Sequence, residues 1–95
     1  MIRKQLYVIA YDISDNRRRQ QVIKLIEKSG SRINWSVFEC ILTFSQVKKL
    51  KELLNTIICF KEDTVVIYPI CRNCHSKTFY LPENRKIVAK QVIVV

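Results

Sequence analysis

The chain has 95 residues, 48% of them hydrophobic, and sets 17 lysines and arginines against 8 aspartates and glutamates, a formal net charge of +9. A single glycine and this apolar content exclude a disordered tail, while one domain of this size buries only about two-thirds of its unfolded surface, so pairing with a second copy is expected to add stability. The charge calls for a polyanion, and since the apolar runs are strand-length, too short to span a bilayer, nucleic acid is favoured over membrane.

The chain begins Met1-Ile2-Arg3-Lys4-Gln5, basic but followed by an apolar run too short for a secretory signal, so the expected location is the cytoplasm. Leu6 to Tyr11 reads as a buried strand, with Asp12 where the sheet opens to solvent. Ser14 or Asp15 caps a first helix whose apolar positions Val22, Ile23 and Ile26 recur at helical spacing, and Gly30 supplies its stop. From Ser31 to Leu42 the apolar residues Ile33, Trp35, Val37 and Ile41 alternate with polar ones, giving one bent strand or a hairpin. The spacing of Val47, Leu50, Leu53, Leu54, Ile57 and Ile58 predicts a second helix capped by Ser45, with Lys48, Lys49 and Glu52 off the stripe. Thr64 to Tyr68 reads as a strand that stops at Pro69, whose missing amide hydrogen disfavours a central sheet position. The order βαββαβ predicts an α+β fold, a ferredoxin-like sandwich with both helices on one face of a four-stranded antiparallel sheet. Residues 1–95 form one domain in this reading. The stretch 86–95, with Val92-Ile93-Val94-Val95, is left over as an additional C-terminal strand and is expected to pair with a partner protomer in a homodimer, because a free edge of that kind invites aggregation.

Asp12 followed within a helical turn by Arg17, Arg18 and Arg19 suggests phosphate handling. A carboxylate at a sheet opening can hold a hard divalent cation, and guanidinium groups match phosphate oxygens with paired donors. Equally, Asp12 can begin an Asx-type turn while the arginines solvate a helix face.

Tyr11-Asp12-Ile13-Ser14-Asp15 after a short apolar strand, Arg17 to Arg19, Gly30-Ser31-Arg32 and Ser36-Val37-Phe38-Glu39 resemble the CRISPR-associated protein two family over nearly the full length. The resemblance implies a ferredoxin-like homodimer with a role in antiviral defence. It would work with the integrase, CRISPR-associated protein one, when new spacers are captured. It also implies a metal-dependent endonuclease acting on RNA or double-stranded DNA, with Asp12 as both catalytic residue and Mg2+ ligand, one from each protomer. Tyr11, Arg19, Arg32, Ser36 and Phe38 fit the family's supporting positions. Gln21 departs from members that carry arginine there, so that one phosphate contact is either lost or moved to Arg17 or Arg18. Phe38 and Trp35 fit a core position as readily as a ligand contact. Asp15 reads as a cap, and no second acid or histidine is evident as a general base. A catalytically silent duplex-DNA scaffold bridging integrase dimers is therefore the alternative to the nuclease. A third reading is a general single-stranded RNA-binding module using Tyr7, Tyr11 and Phe38 as a stacking platform on the open sheet face.

Cys71-Arg72-Asn73-Cys74-His75 has the spacing of a metal knuckle. Zinc is disfavoured because the remaining cysteines, Cys40 and Cys59, lie in expected core elements. A redox pair formed by Cys71 and Cys74 competes with the plainer reading, a turn after the fourth strand.

Overall fold

The computed structural model describes residues 3–82. Seven elements follow in order: β1 (Lys4–Asp12), α1 (Asn16–Glu27), β2 (Gly30–Asn34), β3 (Val37–Thr43), α2 (Phe44–Ile57), β4 (Thr64–Ile70) and the one-turn α3 (Arg72–Ser76). The strands form one sheet in the order β2-β3-β1-β4, each neighbouring pair antiparallel. This is the expected ferredoxin-like arrangement, in which β3 inserts between β1 and β2. The proposed C-terminal strand at 86–95 and its pairing with a partner lie outside the described residues. No helix among the described residues is long and apolar enough to cross a membrane.

Alternation along β1 sends Tyr7, Ile9 and Tyr11 to the helix-covered face, where they meet Phe38, Cys40 and Leu42 of β3. Val22, Ile23 and Ile26 of α1 and Val47, Leu50 and Leu54 of α2 close the same core. On the other face Leu6 packs with Ile41 and Ile70. There α3 lies against β1, and the Tyr80 hydroxyl donates to Glu39 Oε2 at 2.7 Å.

Several local expectations are corrected. The α1 helix ends at Glu27 with Lys28 as its C-cap, and Gly30 opens β2 instead of stopping the helix. Glycine is needed at that point for space: a Cβ there would collide with Cys40 Sγ and the Glu39 carbonyl oxygen. Of the two options for the segment after it, the hairpin holds, turning at Trp35 and Ser36, but its buried hydrophobic residues are Phe38, Cys40 and Leu42, while Ile33 and Trp35 are exposed. Gly30 and Arg32 of β2 pair with Cys40 and Phe38 of β3, so the even-numbered residues share a face on both strands, against the odd-numbered alternation of the apolar positions, and a bulge between Arg32 and Asn34 interrupts the pairing before the turn. Cys71 to His75 is not a simple turn but the start of α3.

The cap of α2 is Thr43, not Ser45. Its hydroxyl accepts from the Gln46 amide at 3.1 Å, and the Gln46 side chain accepts from the Thr43 amide at 2.9 Å, a reciprocal capping box. Leu53, placed on the buried stripe by spacing, is exposed. The β4 strand runs through Pro69 to Ile70 because, among the described residues, it lies at the sheet edge and pairs on one side only. Tyr7, Tyr11 and Phe38 are buried beneath the helices, so they form no platform on the open face.

Candidate functional site

Asp12 is the last residue of β1, opposite Thr64 of β4. Asp12 is exposed to solvent where β1 ends. Its carboxylate has no hydrogen-bond or ion-pair partner among the described residues. Asp15 serves as the N-cap of α1, its side chain accepting from the Arg18 amide at 2.9 Å.

Three adjacent arginines meet three different fates, since successive helical residues point about 100° apart. Arg17 is exposed to solvent. Arg18 reaches across to the loop before β4: Nε donates to Asp63 Oδ2 at 2.7 Å and Nη2 to Glu62 Oε2 at 2.9 Å. Asp63, whose side chain is fully buried, also accepts from the Cys59 amide at 2.8 Å. The hydrogen bond from Arg18 holds the Asp63 carboxyl below its ordinary range, and the same pairing raises the Arg18 guanidinium. Arg18 is thus neutralised within the fold. Arg19 instead donates to neutral acceptors, the Ile13 carbonyl oxygen at 2.9 Å and Asn16 Oδ1 at 2.8 Å, so its position is set while no acid among the described residues compensates its charge.

Arg32 projects from β2 toward the same region. Its Nη2 donates to the Trp35 carbonyl oxygen at 3.3 Å, and its guanidinium carbon lies 5.7 Å from the Trp35 ring centroid and 5.8 Å from that of Phe38. Phe38 is fully buried, its ring 6.3 Å from that of Tyr11, so it supports Arg32 from below. The Tyr11 hydroxyl donates to the Trp35 carbonyl oxygen at 2.6 Å, and the Tyr11 amide to the Ser36 carbonyl oxygen at 3.0 Å, tying the hairpin turn to β1.

These residues frame a cleft of about 540 Å³ lined by Tyr11, Asp12, Arg19, Arg32, Trp35 and Ser36, together with the exposed Asn16 and Gln20 of α1. Of the sequence candidates, Tyr11, Asp12, Arg19, Arg32 and Ser36 meet at the cleft; Arg17, Arg18 and Phe38 do not line it. Asn16 and Gln20 were not among the sequence candidates, and Trp35 was left open between a core position and a ligand contact. Trp35 carried a signal, an aromatic beside a basic hairpin residue, but its exposure depends on where the chain turns. Asp63 escaped notice because nothing local marks an acid whose partner lies 45 residues away.

The donor set at the cleft is hard: one free carboxylate and neutral oxygens. It fits Mg2+ in the mode that ion commonly uses, one or two carboxylates with waters and substrate phosphates completing six oxygens. Among the described residues no three His, Cys, Asp or Glu side chains gather into a metal-binding group. Cys71 and Cys74 lie apart from the cleft, exposed at the start of α3, where Cys71 Sγ accepts from the Cys74 amide at 3.3 Å. That bond lowers the Cys71 thiol, while the neighbouring sulfur raises Cys74. Cys40 is buried and its thiol is pushed up to about 11, as for an inert core residue.

A family model described as CRISPR associated protein Cas2 matches residues 5–78. A protein of Synechocystis sp. named CRISPR-associated endoribonuclease Cas2 3 is 46% identical over 65 residues, which is 68% of this chain and 71% of that one. The crystal structure of Streptococcus pyogenes Cas2 superposes with a TM-score of 0.70 at 28% identity, covering 77% of this chain and 94% of that one. A chain from a partial Cas6-RT-Cas1–Cas2 complex has the same fold, with a TM-score of 0.72 at 23% identity over 87% of this chain and 91% of its own length.

Proposed function

The chain belongs to the CRISPR-associated Cas2 family, and we propose that it is a spacer-acquisition protein of the cytoplasm that hydrolyses phosphodiester bonds of DNA or RNA at Asp12 and partners the CRISPR integrase. The observation that carries this reading is Asp12, without a hydrogen-bond or ion-pair partner among the described residues, lining a cleft with Arg19 and Arg32, which donate to neutral acceptors there. Those two guanidinium groups bind the non-bridging oxygens of a phosphodiester and orient it toward the carboxylate. Tyr11 holds the turn that presents Arg32 and Ser36. Asp12 holds a divalent cation, Mg2+ by its oxygen chemistry, in a homodimer with Asp12 of a second protomer supplying the other anionic ligand. When bound, the cation lowers the pKa of a coordinated water and neutralises charge that develops on the scissile phosphate.

One observation favours a second reading. Among the described residues, those lining the cleft include no second acid and no histidine that could serve as a general base beside Asp12. That suits a duplex-binding scaffold bridging integrase dimers, which needs the arginines and no chemistry.

The deciding experiment compares cleavage of labelled double-stranded DNA and single-stranded RNA by the wild type and Asp12→Ala, with and without Mg2+. The nuclease reading expects Mg2+-dependent cleavage that falls by about 100-fold or more in Asp12→Ala. Cleavage surviving the substitution sinks it. Duplex binding without cleavage by both proteins makes the scaffold the function.

A further inference from the structure

Trp35 is the chain's only tryptophan, and it stands 84% exposed at the tip of the β2–β3 hairpin while lining the cleft that holds Asp12. The backbone beneath the indole is fixed in advance. The Trp35 carbonyl oxygen accepts from the Tyr11 hydroxyl and from Arg32, and the next residue, Ser36, donates its amide to Asn34 Oδ1 at 3.1 Å and accepts from the Tyr11 amide. A planar group landing on this ring therefore orders little that is not already ordered. The guanidinium of Arg32 over the indole sets a positive charge beside it, and the high exposure leaves ring surface open for a second planar group. An aromatic face next to arginines is the pairing that binds nucleotides in two parts, stacking for the base and charge for the phosphate. The cleft volume of about 540 Å³ accommodates a ligand of that size.

We propose that Trp35 is a nucleobase-stacking residue, receiving an unpaired base of a single-stranded polynucleotide whose adjoining phosphate lies on Arg19 and Arg32. This rests on the phosphate-binding reading of the cleft and adds to it the residue that meets the base. Charge alone holds any polyanion; only a base with a free face can lie on the indole, and bases inside a duplex have none.

The test uses wild type, Trp35→Ala and Trp35→Phe in buffer without divalent cation, so that nothing is cleaved. Each is titrated with a short single-stranded oligonucleotide, an abasic strand of the same length and charge, and a blunt duplex, with affinity read from the anisotropy of the labelled strand. Because Trp35 is the sole tryptophan, its fluorescence reports stacking directly. Ribose and deoxyribose strands are both expected to quench it, since the indole meets the base face. The abasic strand is expected to bind without quenching. Trp35→Ala is expected to lose on the order of 10-fold in affinity for the base-bearing strand and nothing for the abasic one, while Trp35→Phe keeps most of the affinity. Equal binding of both strands without quenching overturns the stacking role and leaves the phosphate reading intact. Failure of both strands to bind overturns the two together, and quenching by blunt duplex as strong as by single strand overturns the preference for unpaired bases. Circular dichroism of the variants guards against unfolding, which an exposed position does not invite.

Discussion

Arg18 and Arg19 are neighbours of the same type, yet one is spent within the fold and the other faces the cleft. The difference is charge compensation. Arg18 meets two carboxylates, and the buried one, Asp63, is held in its ionised form. The folded-state carboxyl titrates below its ordinary value of 3.8, so the pair stabilises the fold fully above that value, and the contribution is lost as pH falls below about 4. Arg18→Met is therefore expected to lower stability at neutral pH, with the gap to the wild type narrowing as the pH falls through the acid range below the ordinary carboxyl value. Urea unfolding across that range reads it. A gap that stays constant with pH would show that the pair contributes through packing and not through ionisation. Tyr80 is a second residue whose setting outweighs its type: burial, together with its bond to Glu39, raises its phenol. Trp35 is a third, polar in its surroundings and apolar in its surface.

Among the elements, the β2–β3 hairpin supplies one part of the cleft by bringing Arg32, Trp35 and Ser36 against the end of β1, while α1 supplies Asn16, Arg19, Gln20 and Ile23. The hairpin's anchor is Gly30, where β2 passes so close to β3 that a side chain has no room. The Cys40 side chain can turn aside, but the Glu39 carbonyl oxygen is backbone and cannot move without disturbing the strand pairing. Gly30→Ala is accordingly expected to cost about 1–3 kcal/mol. It should also loosen the hairpin, lowering oligonucleotide affinity in step with stability. Wild-type melting behaviour in that variant would mean that β2 can shift away freely. The α2 cap illustrates the same dependence on context in a milder form: Thr43 caps because β3 ends there in extended conformation, while Ser45, the sequence choice, falls inside the first turn.

At the scale of the whole molecule, a net charge of +9 attracts polyanions without regard to site, and the fold then decides which cations touch the bound strand. Arg19→Ala is expected to reduce the slope of log affinity against log salt by about one, whereas Arg18→Ala leaves the slope unchanged once equal folding is verified. Equal slopes for the two variants would return Arg19 to the general charge background. The order of strands and helices, Asp12 at the end of an apolar strand and the family itself were legible in the sequence, because periodicity, strand-ending polar residues and short motifs are local signals. Which arginine keeps its charge, which face buries Phe38 and how exposed Trp35 stands were decided only in three dimensions. Each depends on partners far along the chain: Arg18 on Asp63, 45 residues away, and the Trp35 turn on Tyr11, 24 residues away. Local pattern records what a residue prefers, but compensation and exposure are set by whatever the fold places beside it.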